Sequence, residues 1–264
     1  MKPYQYTRII LAIAFAGLLA AFYMAGWSYL LLWLPLVAYV IVSFYGAYFI
    51  RSGYFVAAHC NMPDAGKVVS LTFDDGPHPV YTPAILDVLD RQGVVAAFFV
   101  IGREAEKYPE LIKQIHQRGH LVGNHSYDHN HGYAFKSKEQ LLMDAGHCDA
   151  IITKNILKTP LFYRPPYGVT NPGIKYMVEQ KQYHCIGWSL RTYDTMEKNA
   201  ANLTAKVLGK ITEGDVILLH DRLAVTAEAL PGIISGIKQK GYRIQRVDAL
   251  FHLPAYSSTI STAS

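Results

Sequence analysis

The N-terminal part of the chain is almost continuously apolar: from Ile9 to Ile50 there is no Asp, Glu, Lys or Arg. A bilayer crossing takes about 20 apolar residues, so this stretch is too long for one helical span and suits two. Ile9 to Met24 and Leu30 to Ile50 are the expected spans, joined by Ala25-Gly26-Trp27-Ser28-Tyr29. Trp27, Tyr29 and the Tyr and Phe residues near position 45 suit the interfacial belt. Pro35 is tolerable where neighbours satisfy the freed carbonyl. The rival readings are a single long signal anchor and a cleaved signal peptide with Lys2 and Arg8 as its basic region. Against cleavage, Tyr23-Met24-Ala25 is a poor small-x-small site, and a second apolar run would remain. Lys2, Arg8 and Arg51 flank the hairpin while its loop carries no charge, so the positive-inside rule leans both ends towards the cytoplasm.

From Lys67 onward, short apolar runs alternate with amphipathic ones. Strands are expected at 68–73, 96–101, 121–123, 161–163, 183–189, 216–219 and 242–246. Helices are expected at 83–91, 108–118, 137–154, 171–180, 199–211 and 226–240. Ser137-Lys138-Glu139-Gln140 reads as a capping box, and Pro109 and Pro172 suit first helical turns. This alternation argues for a mainly parallel sheet, either an incomplete barrel or an open doubly wound sheet. No Gly-rich nucleotide fingerprint or P-loop follows the first strand. The expected division is an anchor over 1–52, a linker over 53–66, a catalytic domain over 67–254 and a disordered tail over 255–264.

Composition excludes more than it suggests. With 25 Lys and Arg against 20 Asp and Glu, the charge is too mild for a nucleic-acid footprint, although it could favour anionic membrane lipids. Cys60, Cys148 and Cys185 have no paired spacing, which excludes a disulfide framework or a zinc-finger pattern. Cys148 and Cys185 read as small buried hydrophobes.

The polar residues fall at strand ends. Asp74 and Asp75 close the first expected strand and Asn124-His125-Ser126-Tyr127-Asp128-His129 follows the third. Arg164 closes the fourth, Asp194 lies past the fifth, and His220-Asp221 end the sixth. In a parallel barrel these points share one rim, where catalytic groups collect. On a turn of helix, His125 and His129 would point the same way. With a strand-end aspartate they would make a facial ligand set for a divalent cation. His78 could equally be a turn residue, and His120 and His131 read as supporting or solvated groups.

Thr72-Phe73-Asp74-Asp75-Gly76, His125-Ser126-x-x-His129, Arg164-Pro165-Pro166-Tyr167-Gly168 and Leu218-Leu219-His220 occur in the order of the polysaccharide deacetylase motifs. The chain from about Lys67 to Leu250 therefore resembles the NodB-homology enzymes of carbohydrate esterase family four. The resemblance implies a distorted (β/α)7 barrel and metal-dependent hydrolysis of an N-acetyl group on an amino sugar. It implies Asp75, His125 and His129 as metal ligands, with Zn²⁺ the first candidate and Co²⁺, Ni²⁺ or Mn²⁺ also fitting. Asp74 becomes the general base, Arg164 its orienting partner, His220 the general acid, and the Tyr167 amide an oxyanion donor. Leu218 would line the acetyl pocket.

The departure is in the fourth motif. Arg191 and Thr195 replace an expected Asp and Trp, and only Asp194 matches. A cation at 191 would depress the His220 pKa if close, leaving Asp194 or Asp221 as substitute partners. Alternatively Arg191 and Asp194 could meet the substrate, Arg191 through an anionic group such as a lipid-linked phosphate. The expected partners are thus an amino-sugar glycan or a lipid-linked sugar, with membrane lipids and no nucleic acid. Alternatives are an impaired carbohydrate-binding homologue, a deformylase or a cyclic-amide hydrolase.

Overall fold

The computed structural model describes residues 3–257. Helix α1 covers Pro3–Ala25; after a 3-10 turn at Tyr29–Leu32, α2 covers Trp33–Tyr48. Both segments are long and apolar enough to cross a membrane, and their side chains are largely exposed. A helix of about 20 residues extends about 30 Å, the thickness of a bilayer core.

The remainder alternates strand and helix: β1 (Val68–Asp74), α3 (Tyr81–Gln92), β2 (Ala97–Val100), α4 (Gly102–Lys107), α5 (Pro109–Gln117), β3 (Leu121–Asn124) and α6 (Lys138–Ile156). There follow β4 (Phe162–Tyr163), α7 (Pro172–Gln180), β5 (His184–Cys185), β6 (Leu190–Arg191), α8 (Ala200–Lys210), β7 (Val216–His220), α9 (Ala224–Gln239), β8 (Arg243–Ile244) and α10 (Val247–Phe251). Every pairing among these strands is parallel, in the order β5-β4-β3-β2-β1-β7-β6, with β8 beside the first residues of β1. The expected capping box at Ser137 forms, with Gln140 closing it.

The sheet curls into a distorted barrel that stays open between β5 and β6. One strand was expected over 183–189; instead two short strands flank the stretch 186–189. The segment expected as a linker sits against this seam, where His59 bridges Ile186 and Asn61 bridges Asp215. Tyr54, Phe55 and Val56 are buried in a cluster with Tyr163, Ile174 and Met177. Central β1 is buried at every position because helices cover one face and the barrel interior fills the other. Of the expected tail, residues 258–264 lie outside the described residues. Tyr256 packs inward and its hydroxyl accepts a hydrogen bond from the Val122 amide at 2.9 Å. All three cysteines are buried and free.

Candidate active site

The C-terminal ends of β1, β3, β4 and β7 open into one pocket of about 590 Å³, which includes Asp74, Asp75, His125, His129 and His220. On a regular strand two neighbouring aspartates would point to opposite faces. They do not, because β1 ends at Asp74 and Asp75 turns to φ 72°. Both carboxylates consequently approach one imidazole: Nε2 of His125 lies 3.7 Å from Asp74 Oδ2 and 3.5 Å from Asp75 Oδ1.

The His125 and His129 pair is not on a helix, contrary to the expectation. Both lie in the loop after β3, where Ser126 (φ 68°) and His129 (φ 48°) adopt left-handed conformations. The Ser126 amide donates to Asn124 Oδ1 at 2.8 Å and the His129 amide to Ser126 Oγ at 3.0 Å, so local side chains stabilise that path. One ligand atom each from Asp75, His125 and His129 fall within 4.8 Å of one another. His129 Nε2 is 3.3 Å from Asp75 Oδ1. His125 Nδ1 sits 2.7 Å from the Arg164 carbonyl, which can only accept, so this nitrogen carries a proton and Nε2 is the nitrogen turned to the carboxylates. Burial, helped by His125, pushes the His129 pKa down to about 4, which keeps that imidazole neutral at pH 7. Two imidazoles and a carboxylate in this arrangement fit a divalent cation.

Asp74 is held differently. Arg164, with no exposed surface, donates from Nη1 to Asp74 Oδ1 at 2.7 Å and to Thr72 Oγ1 at 2.9 Å. Its Nε and Nη2 donate to the carbonyls of Ile186 and Gly187, and the guanidinium lies 4.2 Å from the Phe99 ring centroid. With four donor contacts the buried cation is fully engaged, so its position and that of Asp74 are fixed.

On the opposite wall, His220 Nδ1 donates to Asp194 Oδ1 at 2.8 Å. Burial alone would lower the His220 pKa, but the Asp194 hydrogen bond and charge, with Asp74 and Asp75 nearby, raise it above the ordinary value. Its Nε2 faces the pocket, 4.0 Å from Asp75 Oδ2.

A family model for polysaccharide deacetylases matches residues 61–186. A peptidoglycan-N-acetylglucosamine deacetylase of Bacillus cereus is 36% identical over 188 residues, covering 69% of this chain and 68% of that protein. The chain belongs to the polysaccharide deacetylase family. It is a hydrolase of non-peptide carbon–nitrogen bonds, a carbohydrate N-deacetylase. The crystal structure of the Bc1960 peptidoglycan N-acetylglucosamine deacetylase superposes with a TM-score of 0.70 at 33% identity, covering 76% of this chain and 94% of that one. A pseudoenzyme of carbohydrate esterase family 4 from Bacillus anthracis shares the fold too, with a TM-score of 0.67 at 27% identity over 72% of this chain and 66% of that one. Because the fold hosts both kinds of protein, the chemistry must be argued from side chains.

The remaining polysaccharide deacetylase positions separate into those that face the pocket and those that do not. Leu218, Arg191 and Thr195 line it. Asp194 does not: rather than meeting substrate, its buried carboxylate accepts from the His220 amide, His220 Nδ1, Thr226 Oγ1 and the Thr195 amide. It is therefore the partner that motif four leaves for His220. Arg191 is exposed over the rings of Trp188 and Tyr193, and no contact joins it to His220. Asp221 is buried behind Gly76, where any Cβ would strike its carboxylate. Burial pushes Asp221 up to about 7. Tyr167, at φ 60°, lays its ring near His129 and His131, and its hydroxyl is 3.2 Å from His131 Nδ1. His78 is a turn residue whose Nδ1 accepts from the Val80 and Tyr81 amides while it lines the mouth. His120 is buried and accepts from the Ala96 amide, outside the pocket.

Two contacts were missed from the sequence. Arg222 Nε donates to Asp75 Oδ2 at 2.9 Å, and Thr226 holds Asp194. The only sequence signal for Arg222 was its place directly after the strand-end His220-Asp221 pair.

Proposed function

We propose that this protein is a membrane-tethered, metal-dependent deacetylase that hydrolyses the N-acetyl group of an amino sugar. One observation carries the reading: a facial Asp75–His125–His129 set stands between a carboxylate fixed by Arg164 and an imidazole fixed by Asp194. Asp75, His125 and His129 hold the cation, with Zn²⁺ the first candidate for this nitrogen-rich set. When bound, the cation lowers the pKa of water and polarises the amide carbonyl.

The chain supplies the rest. Asp74, not spent on the cation, takes a proton from water, and Arg164 keeps its carboxylate aimed. His220 presents a protonated Nε2 to the departing amine, and Asp194 keeps it charged. Leu218 forms an apolar floor for the acetyl methyl, and the main-chain amide of Tyr167 faces the developing oxyanion. A glycosidase needs its carboxylates on opposite sides of the scissile bond, about 5 to 10 Å apart. Here Asp74 and Asp75 meet on one side, against a single nitrogen of His125.

The relatives named for peptidoglycan N-acetylglucosamine support an N-acetylated amino sugar as the substrate class. Residues 1–52 would tether the domain through two spans, and the flanking Lys2, Arg8 and Arg51 favour the cytoplasmic side. On that side the substrate is a precursor sugar rather than the finished wall polymer. Zn²⁺-loaded protein should release acetate from N-acetylglucosamine and its oligomers; no acetate release with any divalent metal would reject the activity.

A further inference from the structure

A second open cavity, about 760 Å³, lies beside β6 and the end of α8, and its wall includes Arg51, Arg191 and Lys210. Arg191 also lines the catalytic pocket, so the two cavities share a wall. Among the described residues none of these three cations has an ion pair. Arg51 Nη1 reaches only the Ser189 carbonyl, at 3.4 Å, and the Arg191 guanidinium lies 5.0 Å from the Tyr193 ring centroid. Of the carboxylates on the wall, Asp215 is buried and accepts from Ser189 Oγ, the Thr212 amide and Thr212 Oγ1, which leaves Glu213 to oppose three cations.

The catalytic rim is also fastened to the membrane helix. The Thr170 amide donates to the Ala47 carbonyl at 2.9 Å, and Thr170 Oγ1 donates to the Gly46 carbonyl at 3.4 Å. Thr170 follows Tyr167 and Gly168 in the same pocket-lining loop. The mouth of the site therefore stands beside the end of a bilayer-spanning helix, where lipid-carried molecules present their head groups.

Resting on the deacetylase reading, we propose that the substrate carries a phosphate ester beside its N-acyl amino sugar. The cavity of Arg51, Arg191 and Lys210 holds that phosphate while the sugar reaches Asp75 and His220. Two guanidinium forks and an ammonium suit phosphate oxygens, and Arg191 spans the passage between charge and chemistry. The same charges would also attract an anionic phospholipid head group, and the two sources are separable.

The test uses the full chain, Zn²⁺-loaded, in neutral-lipid nanodiscs, with N-acetylglucosamine, its 1-phosphate and a prenyl ester of that phosphate as substrates. Both phosphorylated sugars should show KM at least about tenfold below the neutral sugar, a difference of about 1.4 kcal/mol. Arg191→Ala and Lys210→Glu should each bring the values together. Equal KM values would overturn the proposal. Calorimetric titration with the 1-phosphate and the neutral sugar reads binding without turnover. If no substrate releases acetate, the deacetylase reading falls, and tighter binding of the 1-phosphate still supports the cavity while equal binding overturns it. Variants that lose only binding to phosphatidylglycerol vesicles would assign the charges to head groups and also overturn it.

Discussion

Asp74 and Asp75 are covalent neighbours with different surroundings. Asp74 ends a strand and is clamped by a buried Arg164, whereas Asp75 turns left-handed to meet two imidazoles and the Arg222 guanidinium. His220 has a comparable dependence on Asp194, which raises its pKa against the effect of burial. A raised pKa keeps the imidazole protonated to higher pH, and a general acid works only while protonated. Asp194→Asn should therefore move the alkaline limb of the kcat/KM profile to lower pH, and an unchanged limb would remove Asp194 from that role. At this scale the residue types were legible in the sequence but their directions were not. Strand parity set Asp74 and Asp75 on opposite faces, and helical spacing explained His125 and His129; left-handed residues at 75, 126 and 129 overrode both. Thr226 and Arg222 carry no pattern of their own and become visible only once β7 and the start of α9 are in place.

Among the elements, the loop after β4 bears most on the site. It carries Arg164 and Tyr167, and Gly168 adopts φ 69° with a Cβ position filled by the Trp188 ring. Left-handed backbone costs a residue with a Cβ about 1–2 kcal/mol, before the clash is counted. Gly168→Ala should lower the thermal midpoint by at least about 2 °C and reduce kcat as Tyr167 shifts. An unchanged midpoint and kcat would show that the loop adapts freely. Long amphipathic elements were legible to within a few residues, as at α6 and α7. Two-residue strands were not: β5 and β6 merge into one apolar run, because Ile186-Gly187-Trp188 between them is equally apolar while the Gly187 amide turns to the His59 carbonyl instead of continuing the ladder. The stretch 53–66 looked like a linker because a seam-filling segment has neither helical nor strand period.

For the whole molecule, the two apolar N-terminal helices and the barrel share packing. Tyr4 of α1 lies against Tyr54 and Phe55, and Ile50 is buried in the same cluster. Alkaline phosphatase fused after Ser264 should be inactive and a cytoplasmic fluorescent reporter bright; an active phosphatase would place the domain on the other side. Two long apolar helices and one barrel were readable from composition and period, whereas their mutual docking depends on contacts such as Thr170 to Ala47 that no local pattern encodes. The proposed activity requires that the two carboxylates divide their work. The direct measurement is zinc content and acetate release, taken side by side on the wild type, Asp74→Asn and Asp75→Asn. Asp74→Asn should keep its zinc and lose turnover by at least about 10²-fold, while Asp75→Asn should lose both. Zinc lost from Asp74→Asn, or turnover retained by it, would contradict the assignment.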